Sequence, residues 1–177
     1  TNATWSDAGG DNTLARLILD SPWRVSNQQN HTTSGTYGYH AGPDGQTYPP
    51  MTCAAATTPT ILLQAGQAPV LTFWERFNLE YEWDGVVVEI SENGGAWTQL
   101  AITPDYPSTF AQTTDPPVNA CAYITTVKCF SGPSGNAALT AWTSHTANLS
   151  GSAGKNVQLR WRLSTDPAAE FEGFSRN

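Results

Sequence analysis

The stretch "FWERFNLEYEWDGVVVEISENGGAWTQL", Phe73 to Leu100, decides the fold class. In an extended chain, successive side chains point to opposite faces. Read from Val70, "VLTFWERFNL" places Leu71, Phe73, Glu75, Phe77 and Leu79 on one side and Val70, Thr72, Trp74, Arg76 and Asn78 on the other, with Trp74 expected in the core. "DGVVVEIS" sets Val86, Val88 and Ile90 against Val87, Glu89 and Ser91, and the two segments read as paired antiparallel strands. "ENGG" supplies residues that tolerate positive φ in a tight hairpin, and "AWTQL" starts the return strand. Between the two segments Glu80, Glu82 and Asp84 sit two residues apart. Continued alternation would line these acids along one face, opposite Leu79, Tyr81 and Trp83. Like charges so placed repel and need water, a basic partner or a metal ion.

The same period recurs elsewhere. "VQLRWRLS" points Val157, Leu159, Trp161 and Leu163 inward and Gln158, Arg160, Arg162 and Ser164 outward. "WTSHTANLS" is extended, "GSAGKN" is a turn, and "WRVSNQ" and "LARLILD" are weaker strand candidates, the latter also compatible with a helical turn. From Pro104 to Gly135 periodicity vanishes and Pro, Thr, Ser and Gly accumulate. A length of 177 residues with 15 Gly, 12 Pro and 13% charged residues fits one all-β domain, 1–177, carrying a long insertion at about 104–135. The predicted fold is a two-sheet antiparallel β-sandwich.

A formal net charge of -7 argues against nucleic acid or an anionic membrane surface as partner. No apolar run reaches the roughly 20 residues that span a bilayer. The chain begins at Thr1 and reads as a mature or excised piece; its low Lys and abundant Thr, Ser, Asn and Gly suggest a secreted surface. "CAYITTVKC" brackets a short loop, so a Cys121–Cys129 disulfide is expected, with Cys53 left as a buried thiol; the competing reading pairs Cys53 with one of the other two. The tripeptides at Asn2, Asn30 and Asn148 match the N-glycosylation pattern.

The order "LTFWERFNLEYEWDGVVVEISENGGAWTQL", "FSGPSGN", "WTSHTANLSGSAGKNVQLRWRLSTD", "EFEGFS", with "SPWRVSNQQNHTTSGTYGYHAG" upstream, resembles the jelly-roll modules of secreted bacterial hydrolases. Among these is the module of immune inhibitor A-type metallopeptidases, distantly similar to MAM modules. The resemblance leaves out Thr1–Asp20 and the insertion around Cys121 and Cys129. It departs from the family pattern in the acid-rich "LEYEWD" and in stopping at Asn177, where a further strand is expected; that strand would be absent, disordered or contributed from elsewhere, and an open edge is a template for another chain.

The resemblance implies a jelly-roll, MAM-like sandwich and a calcium-stabilised accessory module. Calcium takes six to eight oxygen ligands, mostly carboxylates and carbonyls from loops. Glu80, Glu82 and Asp84, met by Asp166 and Glu172 from the later loop, are its candidate ligands. The competing reading has Glu80 and Asp84 accepting backbone amides or pairing with Arg160 and Arg162. A catalytic acid pair is the weakest reading. No H-E-x-x-H or G-x-S-x-G occurs, and His31, His40 and His145 read as surface or turn residues.

Tyr37, Tyr39 and Trp83 are candidate rings for holding a sugar or an extended peptide. The expected function is therefore a non-catalytic, extracellular accessory or adhesion module that binds carbohydrate or protein. The alternatives are a structural subunit that self-assembles by strand addition and, more weakly, a hydrolase.

Overall fold

A computed structural model of the chain describes residues 17–33, 35–111, 118–134 and 141–177. The Asn2 sequon, Leu14–Arg16 of "LARLILD" and parts of the long insertion lie outside the described residues. The strands are β1 (Ile18–Leu19), β2 (Trp23–Ser26), β3 (Gly38–Ala41), β4 (Cys53–Thr57), β5 (Ile61–Leu62), β6 (Val70–Asn78), β7 (Gly85–Glu92), β8 (Thr98–Gln99), β9 (Ser108–Thr109), β10 (Lys128–Cys129), β11 (Thr143–Asn148), β12 (Asn156–Ser164) and β13 (Gly173–Arg176).

Two antiparallel sheets pack face to face. One runs β1–β4–β12–β7–β8, with β5 also on β12; the other runs β11–β6–β13–β3–β2. From β3 on, the chain changes sheet at β3–β4, β5–β6, β6–β7, β8–β11, β11–β12 and β12–β13, so that β3–β13–β6–β11 faces β4–β12–β7–β8, which is the strand order of a jelly roll. β6 and β7 are therefore not a hydrogen-bonded pair, contrary to the reading from alternation. β7 pairs with β12 and β8, while β6 pairs with β11 and β13. Alternation says which side of a strand is buried, and the same pattern arises whether the next strand lies beside it or across the core.

Alternation did fix the inward faces. Leu71, Phe73, Glu75, Phe77 and Leu79 on β6 and its exit are buried, as are Val157, Leu159, Trp161 and Leu163 on β12. A one-residue slip of β12 would turn these last four outward, costing of order 6–12 kcal/mol at about 1.5–3 kcal/mol per side chain. Trp74 belongs to the opposite set and faces outward, half-buried, correcting its expected core position. The hairpin after β7 forms as read: Asn93 and Gly94 take positive φ of 51° and 72°, and Thr98 and Gln99 pair back onto Ile90 and Glu89.

β7 is buried on both faces. Val86, Val88 and Ile90 enter the main core, while Val87 meets Phe110, Tyr123 and Cys129 in a second cluster beneath the insertion. Gly85 permits this approach, because a Cβ there would lie 2.9 Å from both Phe110 and Cys129.

The insertion is fastened by a disulfide other than the one expected. Cys53 bonds Cys121, with Cα atoms 5.0 Å apart, and Cys129 is a buried free thiol. The register explains the exchange. Cys53 lies opposite Ser164 on β12, and the Cys121 amide donates to Ser164 Oγ at 3.0 Å, which brings the two sulfurs to one strand end. Cys129 instead turns inward against Val87, where burial pushes its thiol pKa up.

Gly173–Arg176, within the segment that resembles the family's ending, forms β13 in the centre of its sheet, between β3 and β6. Asn177 continues the ladder by exchanging backbone hydrogen bonds with Trp74 at 2.8 and 2.9 Å.

Candidate metal centre at the loop rim

Strand β6 ends at Asn78, and residues 79–84 form the turn that crosses to the other sheet. Glu82 takes a positive φ of 67° in that turn, so Glu80, Glu82 and Asp84 do not line one face of a strand. The turn sorts them. Glu80 and Asp84 meet Asp166 from the β12–β13 loop, one carboxylate oxygen of each lying within 4.8 Å of the others.

Glu82 is not part of this cluster: its amide donates to Ser131 Oγ at 2.6 Å, and the residue borders a surface hollow with Tyr106, Ser108 and Lys128. Glu172, also expected at the metal, pairs with Arg76 at 3.0 Å and accepts from Gln29 Nε2 at 3.1 Å. Both are corrections to the proposed ligand set. Arg160 is paired with Glu89 at 2.6 Å and stacks over Trp97, so it is not the partner of the rim acids.

Asp84 is the anchor of the cluster. It is fully buried; its Oδ1 accepts the Asp166 amide at 2.7 Å and its Oδ2 accepts the Tyr48 hydroxyl at 2.6 Å. Tyr48 in turn accepts the Glu80 amide at 3.1 Å, tying three loops together. Burial pushes the Asp84 carboxyl up to about 7, with the Asp166 and Glu80 charges adding, against the hydrogen bonds from Tyr48 and Asp166 that lower it. Glu80 is also raised, first by desolvation and then by Asp166 and Glu170. Its Oε2 is shielded from solvent and has no hydrogen-bond partner. Three converging carboxylates, one of them with an orphaned oxygen, are the kind of donor set that a hard divalent cation takes.

The raised Asp84 pKa carries a sign. A carboxyl whose folded pKa exceeds its ordinary 3.8 contributes stability that is fully present below about 3.8 and lost as pH rises through about 7. In a chelating buffer the native chain is expected to lose melting temperature across that window relative to Asp84→Asn, and saturating calcium is expected to reverse the order, since the variant lacks a ligand carboxylate. Parallel pH profiles of the two proteins in chelator would refute the assignment.

The candidate ligand rings do not form a platform. Tyr39 is buried in the core beneath the Arg176 guanidinium, which corrects its assignment. Tyr37 and Trp83 are exposed but lie far apart along β6. The Tyr37 carbonyl accepts from Asn177 Nδ2, level with Trp74, whereas Trp83 sits in the turn beyond Asn78.

Two histidines expected at the surface are buried. His145 bridges Glu75 Oε1 at 3.0 Å and the Pro104 carbonyl at 2.9 Å. His40 Nδ1 lies 3.0 Å from Ser175 Oγ, which donates to Gln29 Oε1. That serine and histidine are sealed from solvent and act as cross-strand ties. The regular alternation of β6 already marked Glu75 as inward; its histidine partner on β11 is a tertiary pairing that no local pattern signals.

Compared with known proteins, the sequence matches no family model and no curated protein. Among the described residues no helix is long and apolar enough to cross a membrane, and the disulfide fits an oxidising compartment.

Proposed function

We propose that the chain is a non-catalytic, extracellular accessory or adhesion module of the MAM-like jelly-roll kind, binding carbohydrate or protein and stiffened by calcium at the loop rim. One observation carries this reading: Glu80, Asp84 and Asp166 converge from the two loops that leave β6 and β12, with a partnerless Glu80 oxygen among them. Glu80, Asp84 and Asp166 would hold the cation, and Glu170 adds charge nearby. A bound cation neutralises carboxylates that otherwise repel, and it ties the sheet-crossing turn to the β12–β13 loop.

Calcium added to chelator-treated protein is expected to raise the melting temperature, with about 2.7 kcal/mol of stabilisation at a hundred times its Kd. Glu80→Gln should remove most of the effect and Glu82→Gln should leave it intact. An equal response from both variants would sink the placement, and no calcium response in the wild type would sink the metal.

A further inference from the structure

The outward face of the sheet β11–β6–β13–β3–β2 has two unlike halves. Over β2, β3 and β13 it is closed: Arg24, His40, Ser175 and Arg76 form one row across four strands, capped by Asp44, Gln29 and Glu172. Over β6 and β11 it is open. Thr72 lies opposite Thr146 and Val70 opposite Asn148, all exposed, and Trp74 lies opposite Ser144, both half-buried.

Trp142, just before β11 and on the same side as Ser144 and Thr146, is half-buried beside them. Its ring is fixed by neighbours. The Arg76 guanidinium lies 5.8 Å from its centroid, and His31, stacked on Trp74 at 3.9 Å, meets it edge-on at 5.6 Å. Arg76 is itself held by Glu172 and Gln29. At the other end the strip runs into a groove of about 450 Å³ lined by Val70, Ile102, Thr103, Thr146, Asn148 and Ser150.

We propose that this open half is the binding face for a neutral polysaccharide chain, with Trp142 as its stacking ring and the Thr72, Ser144, Thr146 and Asn148 side chains as its hydrogen-bonding floor. The inference rests on the carbohydrate half of the proposed function. The choice of ligand follows from charge and shape. Arg76, the charged side chain beside the Trp142 ring, is already paired with Glu172, so it is not a free partner for an ionic ligand. The strip carries hydroxyls and an amide around a flat ring, and Val70 is its one large exposed apolar side chain, too little for the desolvated centre of a protein interface. β11 spans about 20 Å at about 3.4 Å per residue, long enough for several consecutive sugar rings.

The test is retention of the whole chain on cellulose, xylan, mannan and β-1,3-glucan, with gelatin as a protein probe. The wild type is expected to bind at least one polysaccharide. Trp142→Ala should weaken that binding about tenfold or more, the loss of a ring contact and its buried area. Thr146→Arg, at an exposed position, should obstruct the same strip, and Trp97→Ala on the other sheet should bind as the wild type does. Polysaccharide binding that survives both Trp142→Ala and Thr146→Arg overturns the placement while leaving the carbohydrate reading standing. Binding to none of the polysaccharides overturns both, and retention on gelatin alone redirects the module to protein.

Discussion

Replacing Cys53 and Cys121 together with alanine is expected to lower the stability of the folded chain by about 4 kcal/mol. The bridge closes a sequence separation of 68 residues, so its removal frees a long loop in the unfolded ensemble. It also releases the insertion from the β4–β12 edge, where the Cys121 amide is held by Ser164. Cys129→Ala is expected to cost far less, since only a buried sulfur contact is lost beneath Val87 and Phe110. Urea unfolding with and without reductant measures both. Had the bridge joined Cys121 to Cys129 as the short spacing suggested, Cys129→Ala would be the damaging change and Cys53→Ala nearly silent, so the pair of single variants decides between the two connectivities.

His145→Leu is expected to destabilise the protein by about 3–5 kcal/mol, the cost of leaving a buried acid without its partner. Glu75 projects from β6 into the core and hydrogen-bonds His145 on β11, and Phe73 and Phe130 pack against the imidazole. Burial raises the Glu75 pKa, with the His145 contact opposing that shift. Its other oxygen, Oε2, has no partner, so the histidine contact is the principal compensation for burying the group. Arg176 lies opposite Glu75 in register and stacks its guanidinium 3.8 Å from the Trp161 ring centroid, placing a second polar group in the same core layer.

Replacing both members, Glu75→Leu with His145→Leu, removes the acid as well as its partner and is expected to recover most of the loss. A double-mutant cycle in urea reads the coupling directly. If His145→Leu alone were neutral, the pair would be incidental to stability.

The rim acids show where a local reading stops. "LEYEWD" announces crowded carboxylates, and Asp84 and Glu80 do meet Asp166 as the loop match implied. Which of the three acids join Asp166 was not legible, because it depends on the positive φ at Glu82, which breaks the alternation and leaves Glu82 outside the cluster. Glu172 was drawn away by Arg76, whose guanidinium reaches it from β6 across β13. The outward Trp74 read as a core residue for the same reason. A tryptophan's letter is the same on either face, and only the partner strand shows whether its side is covered.

Local chemistry determined the strand faces, the "ENGG" hairpin and the two-layer sandwich, because burial of alternate side chains is a property of each segment taken alone. Tertiary structure decided which strands pair, that β6 and β7 lie in opposite sheets, which cysteines bond and which carboxylates converge. Those outcomes depend on contacts between segments tens of residues apart, where chain crossing and register set the distances, and a linear pattern holds no measure of them.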